Sequence, residues 1–266
     1  MLLKNCNIID LGHEKKALVS HHGRTGYRYP FTPAQTDAES IIIDMHSGAL
    51  PLGIRVYVTA HRHTTAGSIE HKGIKIVRCP AFCTFIPYQR SLTLMTHILP
   101  DLGAWILIIT KDGRIKLQEW LYPPFLYHDV DDKVIMSNEA QKSYVNPDVL
   151  AIGEPLTSFL KDAEKIILII ADSHVGEVEA VCPEKFINMF GQEQTVELNE
   201  ANKLLLKYWK HLCYMAKNVF KTDEVWLVGD AFGGAMSQKF EKFRKMTIGN
   251  IEDQLYATLE LFRLLK

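Results

Sequence analysis

The chain has 266 residues, is 47% hydrophobic and 23% charged, and carries a formal net charge of -1 at pH 7. That length buries a sizeable core as one large domain or two small ones, and the balanced charge gives no global basic field for nucleic acid. The longest aliphatic runs, WILII at 105–109 and IILII at 166–170, have strand length, well short of the ~20 residues that span a bilayer. No charged-then-apolar leader pattern opens the chain. The five cysteines, Cys6, Cys79, Cys83, Cys182 and Cys213, are odd in number and scattered, which argues for a reducing compartment. A soluble, cytoplasmic protein with no membrane partner is the expectation. Cys79 and Cys83 form the one close pair and are a weak zinc signal; small strand residues are the plainer reading.

In chain order, short runs rich in β-branched and aromatic residues predict strands at 17–20, 54–59, 73–78, 104–110 and 114–120. The KDGR stretch at 111–114 predicts a hairpin turn between the last two, and residues 33–47 predict a helix. From Pro123-Pro124 onward, periodic signals fade and an acidic run, DVDD, occupies 129–132, so this stretch reads as a connector. A buried strand follows at 166–171, then a helix over 199–220, on which Leu205, Trp209, Leu212, Met215 and Ala216 recur at helical spacing. Another apolar strand, 224–228, stops at Gly229-Asp230, and a last helix covers 250–265.

The residues suited to chemistry cluster just past these strands. Asp172-Ser173-His174 follows IILIIA, Gly229-Asp230-Ala231-Phe232-Gly233-Gly234 follows VWLV, His21-His22 follows ALVS, and His61-Arg62-His63 follows VYVTA. In an extended segment alternate side chains share a side, so Asp-x-His and His-x-His each let two ligands face one ion. Carboxylate oxygen with neutral imidazole nitrogen suits zinc, manganese or iron. A carboxylate such as Asp230 can bridge two ions, and glycines beside it let the backbone turn tightly. Each spacing alone is an ordinary turn; four strand ends carrying ligand types together make the case. Arg24, Arg28 and Arg62 could meet a phosphate or be solvated loop cations.

These motifs resemble those of the calcineurin-like metallophosphoesterases. Asp172 and His174 match that family's D-x-H, GDAFGG at 229–234 resembles G-D-x-x-x-G, His21 resembles the histidine after a strand, and AHRH at 60–63 resembles G-H-x-H with Ala60 for glycine. The order is reversed. Residues 1–125 resemble the family's C-terminal half, 126–164 form the connector, and 165–266 resemble its N-terminal half, as in a circular permutant. The G-N-H-[DE] motif has no match; LGHE at 11–14 lacks the asparagine, and no role passes to His13.

The resemblance implies an α/β fold of two packed mixed β-sheets flanked by helices, a four-layer sandwich in permuted order. It implies two divalent transition metals (Mn, Zn or Fe). Asp172, His174 and His63 would hold one, His21 and His61 the other, with Asp230 bridging; Asp230 and His61 take the catalytic roles. The implied reaction is hydrolysis of a phosphomonoester or phosphodiester, nucleotides and nucleic acids included, by a metal-bound hydroxide. The missing motif would have supplied an asparagine ligand and a proton-donating histidine, so impaired activity is expected. The rival readings are a non-catalytic metal-binding or interaction remnant, and a homodimer whose chains exchange halves to complete each site. A metallo-β-lactamase-like hydrolase is a poor rival, because HRH is followed by TTAG rather than by the aspartate and histidine of H-x-H-x-D-H.

Overall fold

The computed structural model describes residues 6–21, 32–61, 66–83, 101–123, 125–128, 131–136, 160–233 and 247–265. The first sheet is built from β1 (Cys6–Gly12), β2 (Lys15–Ser20), β3 (Ile54–Thr59), β4 (Gly67–His71) and β5 (Ile74–Arg78), in the order β1-β2-β3-β5-β4. Strands β2, β3 and β5 run parallel, while β1 and β4 close the two edges antiparallel. The helix α1 (Thr32–His46) lies between β2 and β3 in the chain, as a parallel connection requires.

The second sheet holds β6 (Leu102–Thr110), β7 (Ile115–Tyr122), β10 (Ala163–Ala171) and β13 (Glu224–Val228), in the order β13-β10-β6-β7. Here β10 and β13 are parallel and the other pairings antiparallel. Two small hairpins complete the strands: β8 (Phe125–His128) with β9 (Lys133–Met136), and β11 (Lys185–Ile187) with β12 (Glu193–Thr195). The stretch expected to be a connector with some local structure contains most of β8, all of β9 and the start of β10; its residues 137–159 lie outside the described part. Because β6 pairs with β10 along most of its length, residues 1–125 and 165–266 share one sheet.

The alternation along β6 and β10 explains the layering. Trp105, Leu107 and Ile109, with Ile167, Ile169 and Ala171, face the first sheet and pack on Ala17, Val56, Val58 and Val77. The alternate residues Ala104, Ile106, Ile108, Ile166, Leu168 and Ile170 face the helices α2 (Glu200–Tyr214) and α3 (Ile251–Arg263). Both faces are covered, which is why these strands read as continuous apolar runs. On the far side of the first sheet, Ala38 and Ile41 of α1 pack on Leu18, Ile54, Tyr57 and Ile76. The result is a mixed α/β sandwich, helix–sheet–sheet–helices.

Helix α2 starts at a capping box. Asn199 Oδ1 accepts from Asn202 N at 2.8 Å, and Asn202 Oδ1 accepts from Asn199 N at 3.3 Å. A π-helical turn over Met215–Phe220 follows, ended by Lys221 in the left-handed conformation. Trp209, fully buried, donates its Nε1 hydrogen to Leu261 O at 3.1 Å and so ties α2 to α3. Among the described residues no helix is long and apolar enough to cross a membrane.

Candidate metal centre

In the first sheet β2, β3 and β5 point one way, and in the second β10 and β13 do. His21 follows β2, His61 lies two residues past β3, Asp172 follows β10 and Asp230 lies two past β13. These ends meet. The carboxylate of Asp172, completely buried, is where they join: Oδ2 accepts from the His61 backbone N–H at 2.6 Å across 111 residues of chain, and Oδ1 accepts from the Asp230 N–H at 3.0 Å. The main chain reinforces the junction. Asp172 N donates to Val228 O, His174 N to Asp230 O, Ala60 N to His21 O and Phe82 N to Asp172 O, and Ser173 Oγ donates to Ala231 O at 2.7 Å.

The backbone is bent to make this possible. His61, Asp172 and His174 have φ of 74°, 44° and 45°, a left-handed conformation that costs a non-glycine residue about 1–2 kcal/mol. Gly229, at φ 92°, is a glycine for two reasons. The left-handed φ favours it, and a Cβ there would overlap Asp172 Oδ1.

Into this frame come the imidazoles. His21 Nε2 lies 3.3 Å from Asp172 Oδ1, and His21 Nδ1 lies 3.9 Å from Asp230 Oδ1. His174 Nε2 lies 3.9 Å from Asp230 Oδ2. The His21 and His61 rings stand edge to face with centroids 5.1 Å apart. Burial of His21 disfavours its protonated form, but the Asp172 carboxylate 3.3 Å from its Nε2 and the charge of Asp230 outweigh it, and its pKa is raised above the ordinary 6.5. Asp230 is half exposed, so the cluster opens to solvent on that side.

Of the residues picked out from the sequence, His21, His61, Asp172, His174 and Asp230 are gathered here, and His21, Asp172 and Asp230 place one potential ligand atom each within 4.8 Å of one another. His63, together with His22, Arg24, Arg28, Arg62 and Gly234, lies outside the described residues. His13 is elsewhere, in the β1–β2 turn, bonded to Glu164 at 2.8 Å. Cys79 and Cys83 are buried in separate apolar clusters, and burial raises the Cys79 thiol well above its usual pKa.

The donor set fits a divalent cation. Two ligands each about 2.0–2.2 Å from a tetrahedral ion sit about 3.3–3.6 Å apart, which brackets the His21–Asp172 separation of 3.3 Å. The 3.9 Å separations are too long for hydrogen bonds. Sequence reasoning missed one participant, Glu177, whose Oε1 lies 3.0 Å from His174 Nδ1. Its position three residues after His174 in HVGE was the available signal. Compared with family models, curated proteins and solved structures, the chain matches none of them.

Proposed function

We propose that this protein is a metal-dependent phosphoesterase of the calcineurin-like kind, its two halves in circularly permuted order. The observation that carries the proposal is Asp172: one buried carboxylate holds the backbones of His61 and Asp230 while His21 lies beside it, so ligand types from both ends of the chain face one space. The same convergence within a single chain favours a site complete without exchange of halves between two chains. Asp172, His174, His21, His61 and Asp230 would hold the ions. Divalent manganese, zinc or iron bound there would supply Lewis acidity, acidifying a water and neutralising charge on a phosphoryl group.

The chain's own residues define what remains. Asp172, fully buried, is positioned by main-chain donors and serves to organise the others. Asp230, half exposed, is the group a substrate would approach, and its two oxygens face different imidazoles, Oδ1 toward His21 and Oδ2 toward His174, so it would serve ions held on either side. Nothing in the sequence matches the motif that would deliver a proton to the leaving group, and general acid help is worth about 10²–10⁴-fold. Good leaving groups are therefore favoured over alkoxides. Manganese-loaded protein should hydrolyse an activated aryl phosphodiester and act far more slowly on alkyl esters. Asp230→Asn should abolish turnover, because a neutral amide bridges two cations poorly. No turnover by the loaded wild type favours the second reading, a metal-binding remnant without catalysis; full turnover by Asp230→Asn would show that the activity does not arise at this site and overturn the proposal.

A further inference from the structure

The loop after β10 contains a second buried carboxylate that none of the metal motifs includes. Glu177 is 5% exposed and His174 2% exposed, and their side chains meet at 3.0 Å through Oε1 and Nδ1. Burying an acid away from water is costly unless its partner repays it, so the placement asks for a reason. The turn itself does not supply one, because the main chain of Glu177 already holds it. Its N–H donates to His174 O at 3.1 Å. Its carbonyl accepts from Asn202 Nδ2 and from Thr247 Oγ1, each at 3.4 Å. Gly176 next to it accepts from Thr247 N and Ile248 N. The carboxylate itself meets the imidazole, Oε1 at 3.0 Å from His174 Nδ1.

Its effect on that ring is specific. A carboxylate is an acceptor only, so it fixes the hydrogen of a neutral His174 on Nδ1 and leaves the lone pair on Nε2. Nε2 is the nitrogen that faces Asp230 Oδ2, at 3.9 Å. The left-handed backbone of His174 and its N–H bond to Asp230 O aim the ring; Glu177 sets which nitrogen can ligate. We propose that Glu177 is a positioning residue for the metal centre, holding His174 in the Nδ1–H tautomer with Nε2 presented as a ligand. This rests on the reading of the site as a metal centre. Partners of this kind raise the basicity of the ligating nitrogen, and losing one typically weakens metal binding 10- to 100-fold.

Glu177→Gln keeps size and one acceptor but adds an amide N–H₂ that can donate to Nδ1 and move the ring hydrogen to Nε2. Two measurements on the full chain test the idea. Nitrogen-15 spectra of the imidazoles in metal-free protein at mildly alkaline pH report the tautomer without any metal. The wild type is expected to show His174 protonated at Nδ1, and Glu177→Gln a mixture; protonation at Nε2 in the wild type overturns the proposal. Calorimetric titration with manganese should show Glu177→Gln binding about 10- to 100-fold more weakly at an unchanged thermal midpoint of the metal-free fold, and Glu177→Ala more weakly still. Equal affinity of wild type and Glu177→Gln overturns the role of Glu177 while leaving the metal centre intact. A wild type that binds no manganese overturns the metal centre and the role together, so the two failures are told apart.

Discussion

Between the sheets, Val58, Leu107, Ile169 and Val228 fill space with apolar groups alone, and none of them has a left-handed backbone. A few residues further along the same strands the rules reverse. His61 follows β3, Asp172 follows β10 and Asp230 follows β13. An acid is completely buried, and His61, Asp172 and His174 all take positive φ. The interior of the sandwich is what hydrophobic burial builds; the strand ends are held in strained conformations that the interior is stable enough to impose. Stability and site should therefore respond to mutation separately.

The largest effect on folding is expected inside. Ile169, fully buried between the sheets, should cost about 2–5 kcal/mol when truncated to Ala, read by urea denaturation, while the folded fraction keeps its metal affinity. Gly229→Ala is next. It meets both a left-handed φ and the Asp172 carboxylate, so it should cost about 1–3 kcal/mol and, unlike the core change, eliminate metal binding. His61→Gly should separate the two regions most sharply. The backbone N–H that holds Asp172 is retained, the strain at φ 74° is relieved, and the metal-free fold should gain about 1 kcal/mol while metal binding weakens. If His61→Gly destabilises instead, strain is not the feature that distinguishes the strand ends.

The smallest effect is with pH. His21 has a folded pKa above its ordinary 6.5, where burial alone would lower it, because the adjoining Asp172 carboxylate and the charge of Asp230 prevail. A pKa raised by folding contributes stability that is complete below about pH 6.5 and is lost as pH rises through the folded value. Metal-free wild type should lose stability relative to His21→Gln across that window. Metal needs the neutral imidazole, so manganese affinity should rise across the same interval. A stability difference that is flat with pH would show that His21 does not sense the two carboxylates.

How much of this was legible before folding depended on burial. Strands β3 and β13 occupy the expected residues 54–59 and 224–228, because runs buried from water are apolar and stop where the chain re-emerges. The ligand candidates were legible for the same reason: Asp172 interrupts IILIIA abruptly. Strands β1 and β4 were missed, since both are sheet edges with much of their length in solvent. The hairpin β8–β9 hid in the acidic stretch taken for a connector. Geometry at the site was less accessible. A left-handed His61 or His174 has no local signature, because long-range bonds such as His61 N to Asp172 Oδ2 impose it. Glu177 was overlooked because a carboxylate three residues from a histidine looks like surface until its burial is known.

The central claim is that strand ends from distant parts of the chain build one metal site, and a double-mutant cycle on manganese affinity tests it most directly. His21 and Asp230 are the pair to use, since they approach one another across the two sheets. If both ligate at one centre, His21→Ala and Asp230→Ala should each remove most of the binding, and the double variant should bind no more weakly than the weaker single one. Wild-type affinity retained by His21→Ala, or losses that simply add, would contradict the account.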